Sequence, residues 1–192
     1  MSYKTDTFEK EIGYVKDEKI REFLTESIEA IPDYFFKMGA SSTGKYHPKY
    51  AQGEGGLLRH TKAAVIIAME LFGMNDLFTE EERNLIIASL ILHDGWKKGT
   101  IEEKYTREDH PVVATNVLNV RFSEGKNITT EQLGLICDNI VSHMGRWNTK
   151  RETGEELFPQ PKGKMERFVH MCDYLASRKT IEINFDAEIS NR

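Results

Sequence analysis

The adjacent pair His93-Asp94 closes an almost uninterrupted apolar run, Leu85-Ile86-Ile87-Ala88-Ser89-Leu90-Ile91-Leu92. An imidazole and a carboxylate ending a buried segment need partners, because an unpaired buried charge is very costly. Four further residues of ligand type, His60, His110, His143 and Asp173, stand in comparable helical contexts. Taken singly, each histidine has a plain explanation as a hydrogen-bonded core residue. Jointly they point to a metal centre. Carboxylates in apolar surroundings are difficult to explain as free groups, whereas a bound cation stabilises them and neutral imidazoles alike. Four imidazoles and two carboxylates exceed the ligand set of an ordinary structural zinc site. They suffice for two ions with open positions for water and substrate, and such a pair can activate a bridging water and stabilise the opposing oxygens of a phosphoryl displacement.

The elements that must position these residues read as helices, and the expected fold is all-α. Strand alternation, internal repeats and low-complexity linkers are absent, and apolar residues recur at helical spacing. A first helix is expected over about 17–31, ended by Pro32. Residues 39–56, rich in Gly, Ser, Lys and Tyr, read as a long loop of the kind that often carries function. A second helix starts near Leu57, with Leu57, Thr61, Ala64, Val65, Ala68, Met69 and Phe72 as its stripe and His60 beside it. The third opens at the capping box Thr79-Glu80-Glu81-Glu82 and runs to His93-Asp94; apolar on nearly every face, it should be the central helix. The fourth begins at His110-Pro111, since proline favours the first helical position, and continues through Val113, Val117 and Val120. A fifth opens at the capping box Thr129-Thr130-Glu131-Gln132, with Leu133, Ile136, Ile140, Val141 and Met144 buried and His143 on that stripe. The sixth, from about Gly163, places Met165, Val169, Cys172 and Ala176 on one face together with Asp173.

A chain of 192 residues supports one core. Its 39% hydrophobic and 30% charged residues are those of a soluble globular protein, and no apolar stretch approaches the ~20 residues that span a bilayer. The charged N-terminus and the two cysteines, Cys137 and Cys172, read as buried thiols, fit a cytoplasmic protein. A formal charge of −5 argues against nonspecific coating of nucleic acid but leaves room for a small anionic substrate held by local cations.

The segments GGLLRHT at 55–61, LHDGWKKG at 92–99, DHP at 109–111, SHMGRWN at 142–148 and FVHMCDYLASRK at 168–179 resemble the HD-domain metal-dependent phosphohydrolase superfamily. The ordered series His60, His93-Asp94, His110, His143, Asp173 is similar to its six-ligand, two-metal branch, and the last segment resembles the HD module of some 3'-5' exoribonucleases. The resemblance covers about Gly55 to Lys179. It implies a single HD domain over 1–192, with a core at about 55–180 and an N-terminal helical extension over 1–54. It implies two divalent ions (Mn, Fe, Mg, Ni, Co or Zn), with Asp94 bridging both, His60, His93 and Asp173 on one, and His110 and His143 on the other. Lys97 stands where the HD-x-x-K pattern places a lysine that contacts the substrate phosphate or the attacking water. Many members read HDIGK; here the glycine moves forward and Trp96 sits beside the lysine.

The reaction so implied is hydrolysis of a nucleotide, short oligonucleotide or other phosphoester by a two-metal-activated hydroxide, as in a phosphodiesterase or nucleotidase. Two alternatives are a di-iron oxygenase on the same ligands and a noncatalytic nucleotide-sensing module. Arg146, Trp147, Lys150 and Arg151 follow His143 directly; Arg146 could hold a phosphate and Trp147 stack on a base, against the reading of a solvated loop. Lys98, Arg178 and Lys179 read as surface charges, and His47 as an exposed loop residue. His170 reads either as an outer partner of the centre or as a partly exposed side chain.

Overall fold

The computed structural model describes residues 2–41, 47–74, 76–125 and 127–186. Among the described residues the chain is all-helical: α1 (Tyr3–Thr7), α2 (Glu9–Ile12), α3 (Glu18–Ala30), α4 (Gly56–Met74), α5 (Glu80–Leu92), α6 (His110–Phe122), α7 (Thr130–Ser142) and α8 (Lys164–Ala176). No helix there is long and apolar enough to cross a membrane.

Local signals set the helix starts. Thr79 caps α5 and Thr129 caps α7, each through a reciprocal pair with the residue three further on, Glu82 and Gln132. Asp17 accepts from the Ile20 amide to open α3, and the chain leaves that helix at Ile31, ahead of Pro32. Pro111 stands in the first turn of α6, where its missing N–H costs nothing.

Helix α5 is the centre of the bundle. Asn84 to Leu92 are all buried, and the helix touches α3, α4, α7 and α8. Burial all round follows from the continuous apolar sequence, each large aliphatic side chain contributing about 1.5–3 kcal/mol. Its polar members are satisfied: Asn139 of α7 donates to Ser89 Oγ at 3.1 Å, and Asn84 Oδ1 accepts from the Lys16 amide at 2.7 Å. Helix α4 packs on α8, and α6 on α7. Phe8, Val15, Ile20, Phe23, Leu24, Ile28 and Phe35 join the same buried cluster as α4–α8, so the N-terminal helices are part of one core.

The sequence reading leaves the rotation of α6 open. Val120 is 84% exposed, and the face turned inward is His110, Ala114, Leu118 and Phe122. The rings of Phe122 and Phe23, centroids 4.7 Å apart, bury more area than a valine would and set the helix's rotation. The described residues of the stretch expected as a loop, 39–41 and 47–56, are more ordered than that reading implies. Residues 42–46 lie outside the described ones, but Lys49–Ala51 forms a 3-10 turn, Ala51 is buried, and Tyr50 Oη donates to the Ala176 carbonyl at 2.7 Å. The Arg59 guanidinium pins this segment by donating to the carbonyls of Tyr50, Gln52 and Glu54.

Candidate metal centre

Each ligand-type residue is delivered by a helix end or the buried face of a helix. His60 lies in the second turn of α4, Asp173 near the end of α8, and His143 directly after α7. His93 caps α5, and the chain turns at once through Asp94 and Gly95. A Cβ at Gly95 would lie 3.2 Å from both Ile31 Cγ1 and the Leu92 carbonyl oxygen, so the glycine stands where the turn presses on α3's exit. Trp96 then enters the core, 1% exposed, and the turn leaves Lys97 facing Asp94. That accounts for the forward glycine and the tryptophan beside the lysine. His110 is brought in by the segment before α6, where Arg107 is clamped on Asp109 by two 2.8 Å hydrogen bonds.

The histidines form a file of rings, His47, His60, His93, His143, His110, with successive centroids 5.4, 5.8, 4.8 and 5.3 Å apart. Three of them share one construction. His93 Nδ1 lies 2.7 Å from the Leu90 carbonyl oxygen, His110 Nδ1 2.9 Å from that of Arg107, and His143 Nδ1 2.7 Å from that of Ile140. A carbonyl oxygen can only accept, so Nδ1 carries the proton and the neutral ring presents a bare lone pair at Nε2. All three Nε2 atoms face carboxylates. His110 Nε2 is 2.9 Å and His143 Nε2 3.8 Å from Asp94 Oδ1; His93 Nε2 is 3.5 Å from Asp94 Oδ2 and from Asp173 Oδ1. His60 Nε2 is 2.8 Å from Asp173 Oδ1.

Burial makes this arrangement costly without a cation. His93, Asp94, His110 and His143 are each at most 2% exposed, and His93 Nε2, Asp94 Oδ1 and His110 Nε2 are buried polar atoms with no hydrogen-bond partner among the described residues. Burial pulls His93 down, but the carboxylates of Asp94 and Asp173 outweigh it and push the ring up to about 10. His143, beside it, is pulled down to about 3 by burial and by the positive charge on His93. Burial disfavours the Asp94 charge, yet Lys97, His93 and His110 together hold it well below the usual carboxylate range; His60 and His93 do the same for Asp173. The two carboxylates thus draw positive charge into the space between them, from Lys97 and, without a metal, from His93.

The donor set fits a metal. His60, His93 and Asp173 form one group, and His93, Asp94 and His143 another, in which one ligand atom from each residue lies within 4.8 Å of the others. His110 joins through Asp94 Oδ1. The orphaned nitrogens and oxygen are what a divalent ion with N and O ligands would satisfy. Asp173 keeps 17% side-chain exposure and Lys97 13%, against 3% or less for His60, His93, Asp94, His110 and His143, so the centre opens on the side of Asp173 and Lys97.

The remaining site candidates divide. Lys97 Nζ contacts Asp94 Oδ2 at 2.5 Å and belongs to the centre. Arg146 and Trp147 are exposed on the 3-10 turn Gly145–Trp147 that follows His143, where the Arg146 guanidinium lies 4.7 Å from the Trp147 ring centroid. Lys150 and Arg151 continue into a loop closed by the bridge between Thr149 and Glu156, and Arg151 faces Glu108. Lys98 pairs with Glu102 at 2.7 Å, and Lys179 is exposed. Arg178 is not a plain surface charge, since it lies 4.3 Å from the Tyr174 ring centroid. His170 is half-buried, and its Nδ1 donates to the His143 carbonyl oxygen at 2.6 Å, an outer partner of the centre. Cys137 and Cys172 are buried free thiols.

His47 corrects an expectation of exposure. Its ring packs edge-on against His60, its Nδ1 is buried without a partner among the described residues, and burial, with His60 and Lys97 nearby, pulls it down to about 4. The available signal was the dipeptide His47-Pro48, which repeats the form of His110-Pro111. Comparison with protein-family profiles, with curated proteins and with solved structures finds no match to the chain.

Proposed function

We propose that the chain is a divalent-metal-dependent phosphohydrolase of the HD-domain type, acting on a nucleotide or another phosphoester. The observation that carries this reading is the convergence of imidazole nitrogens on the Asp94 and Asp173 carboxylates in a buried space, where His93 Nε2, His110 Nε2 and Asp94 Oδ1 have no hydrogen-bond partner among the described residues. An imidazole nitrogen has one lone pair and serves one metal. If His93 joins His60 and Asp173, the second set is His143, His110 and Asp94. Asp94 would be the ligand common to both sets, since its Oδ1 faces His110 and His143 and its Oδ2 faces His93 and Lys97. Divalent ions held there lower the pKa of a water and neutralise charge on a phosphoryl group.

The protein's own groups supply the rest. Lys97, held at the open edge by Asp94, offers its ammonium to an incoming phosphate oxygen, and Arg146 provides a second cation on the turn after His143. His170 donates to the His143 carbonyl and keeps that turn from swinging away from the centre. The buried free thiols agree with a reducing cytoplasmic setting.

The test is metal analysis of the purified protein joined to an aerobic and an anaerobic activity screen over nucleotides, cyclic nucleotides and short oligonucleotides. Stoichiometric divalent metal and anaerobic turnover, both lost in Asp94→Ala, are the expected results. Turnover that survives complete metal removal overturns the reading. Turnover that needs iron and oxygen transfers the site to oxygenase chemistry.

A further inference from the structure

A cleft of about 450 Å³ adjoins the centre, lined by Arg146, Trp147, Gln160, Pro161, His170 and Tyr174. Two segments that carry residues of the metal site also line it. One is the segment from His143 to Trp147; the other is α8, where Tyr174 follows Asp173 directly. The walls are fastened together. His170 donates to the His143 carbonyl, and its ring rests on Gly145, whose backbone has φ +57° and where a Cβ would lie 2.4 Å from His170 Cε1.

The cleft contains a stack of alternating chemistry. The rings of Trp147 and Tyr174 are 5.8 Å apart and inclined by only 16°. Arg146 lies 4.7 Å from the Trp147 ring centroid and Arg178 4.3 Å from that of Tyr174. No carboxylate pairs with either guanidinium among the described residues. Trp147 keeps 44% exposure, a large area of indole left in water. Two guanidiniums without anions beside two parallel rings suit a ligand that is both flat and negatively charged. With its proton committed to the His143 carbonyl, His170 in its neutral form has an acceptor at Nε2 for an amino or hydroxyl group.

We propose that this cleft is the base subsite of a nucleotide whose phosphate reaches the metal centre, with the Trp147 ring, backed by Tyr174, stacking on the base and Arg146 facing phosphate. The assignment rests on the phosphohydrolase reading for the fate of the phosphate, not for binding of the base. A cleft of this size holds a nucleoside. A phosphoester without a base leaves the stack unoccupied and binds only through its phosphate.

Trp147 is exposed and the other tryptophan, Trp96, is buried, so ligand stacking is read in the emission of the full-length protein. The probes are AMP, GMP, CMP and UMP, the matching nucleosides, and ribose 5-phosphate. At least one nucleotide and its nucleoside are expected to quench emission and to bind more tightly than their base-less counterpart. Trp147→Ala is expected to weaken the nucleotide about 5- to 150-fold, the equivalent of one base–aromatic stack, with affinity measured by calorimetry. Trp147→Phe, which keeps a ring, is expected to restore most of that loss, and Tyr174→Ala to reproduce it. Ribose 5-phosphate binding as tightly as every nucleotide, or affinity indifferent to Trp147→Ala and Tyr174→Ala, overturns the subsite. Nucleoside binding without phosphoester turnover retains the subsite and defeats the phosphohydrolase reading; turnover on base-less phosphoesters alone does the reverse.

Discussion

His110 Nε2 lies 2.9 Å from Asp94 Oδ1 with no hydrogen bond between them. The ring's proton is already committed on its far side, to the carbonyl oxygen of Arg107. His93 and His143 repeat the construction, each anchored to the carbonyl three residues back. His93 and His143 follow the C-terminal turns of α5 and α7, where late helix carbonyls remain within reach of the ring, whereas His110 opens α6 and takes the carbonyl of Arg107 in the segment before it. Local secondary structure thus fixes which nitrogen of each ring faces the carboxylates.

Asp94→Asn keeps the shape of the side chain but replaces one acceptor with an amide donor. It removes the charge that holds His93 protonated and that faces Lys97, so the metal-stripped variant is expected to melt below the metal-stripped parent. Metal affinity is expected to fall by more than about 100-fold, beyond the loss caused by removing an outer-shell partner. Elemental analysis with parallel thermal melts checks both halves, and unchanged metal content would falsify the assignment of Asp94 as a ligand.

Loading the centre should release a proton. Without metal, the two carboxylates hold His93 up to about 10, above its ordinary value of 6.5, so the ring is charged at neutral pH. A metal must displace that proton, and apparent affinity is expected to rise about tenfold per pH unit between pH 7 and 9. In the metal-free protein the raised pKa contributes stability that is complete below pH 6.5 and lost as pH climbs through 10. Titration calorimetry in buffers of different ionisation heat measures the proton, and melts across that range measure the stability.

Gly145→Ala should be costly twice over, through its left-handed backbone and through collision with the His170 ring. A loss of about 1–3 kcal/mol is expected, lowering the melting temperature by roughly 2–12 °C in a chain of this size. His170→Ala removes the collision but not the backbone strain. The double variant should therefore be less destabilised than the sum of the two singles, and a double-mutant cycle by chemical denaturation reports the difference.

Arg59→Ala removes three guanidinium–carbonyl hydrogen bonds that hold the segment carrying His47. The expected destabilisation is about 1–3 kcal/mol, less than three full charged hydrogen bonds because the freed carbonyls can turn to water. Limited proteolysis should cut within 39–55 faster than in the parent, while far-UV circular dichroism stays the same. Cleavage at an unchanged rate would show that the segment is held by Ala51 and Tyr50 without the guanidinium.

The capping boxes at Thr79 and Thr129, the proline at the mouth of α6 and the continuous apolar run of α5 were legible because each is a local pattern within a few residues. The α6 rotation was not. Val113, Val117 and Val120 and the face His110, Ala114, Leu118, Phe122 both recur at helical spacing, and packing of Phe122 on Phe23, 99 positions earlier in the chain, decides between them. His47 was read as exposed because it stands beside Pro48 in a long loop; its neighbours in space are His60 and Lys97.

The sequence by itself determined the helices and the types of residue at their ends, since hydrophobic period, capping and proline act over one or two turns. Tertiary structure decided which of those ends meet. His60 and Asp173 stand 113 positions apart and 2.8 Å from each other, and Trp147 finds Tyr174 across the irregular segment that precedes α8. Such contacts depend on how α4, α5, α7 and α8 pack as a group, and packing is a property of complementary surfaces that no local window of residues contains.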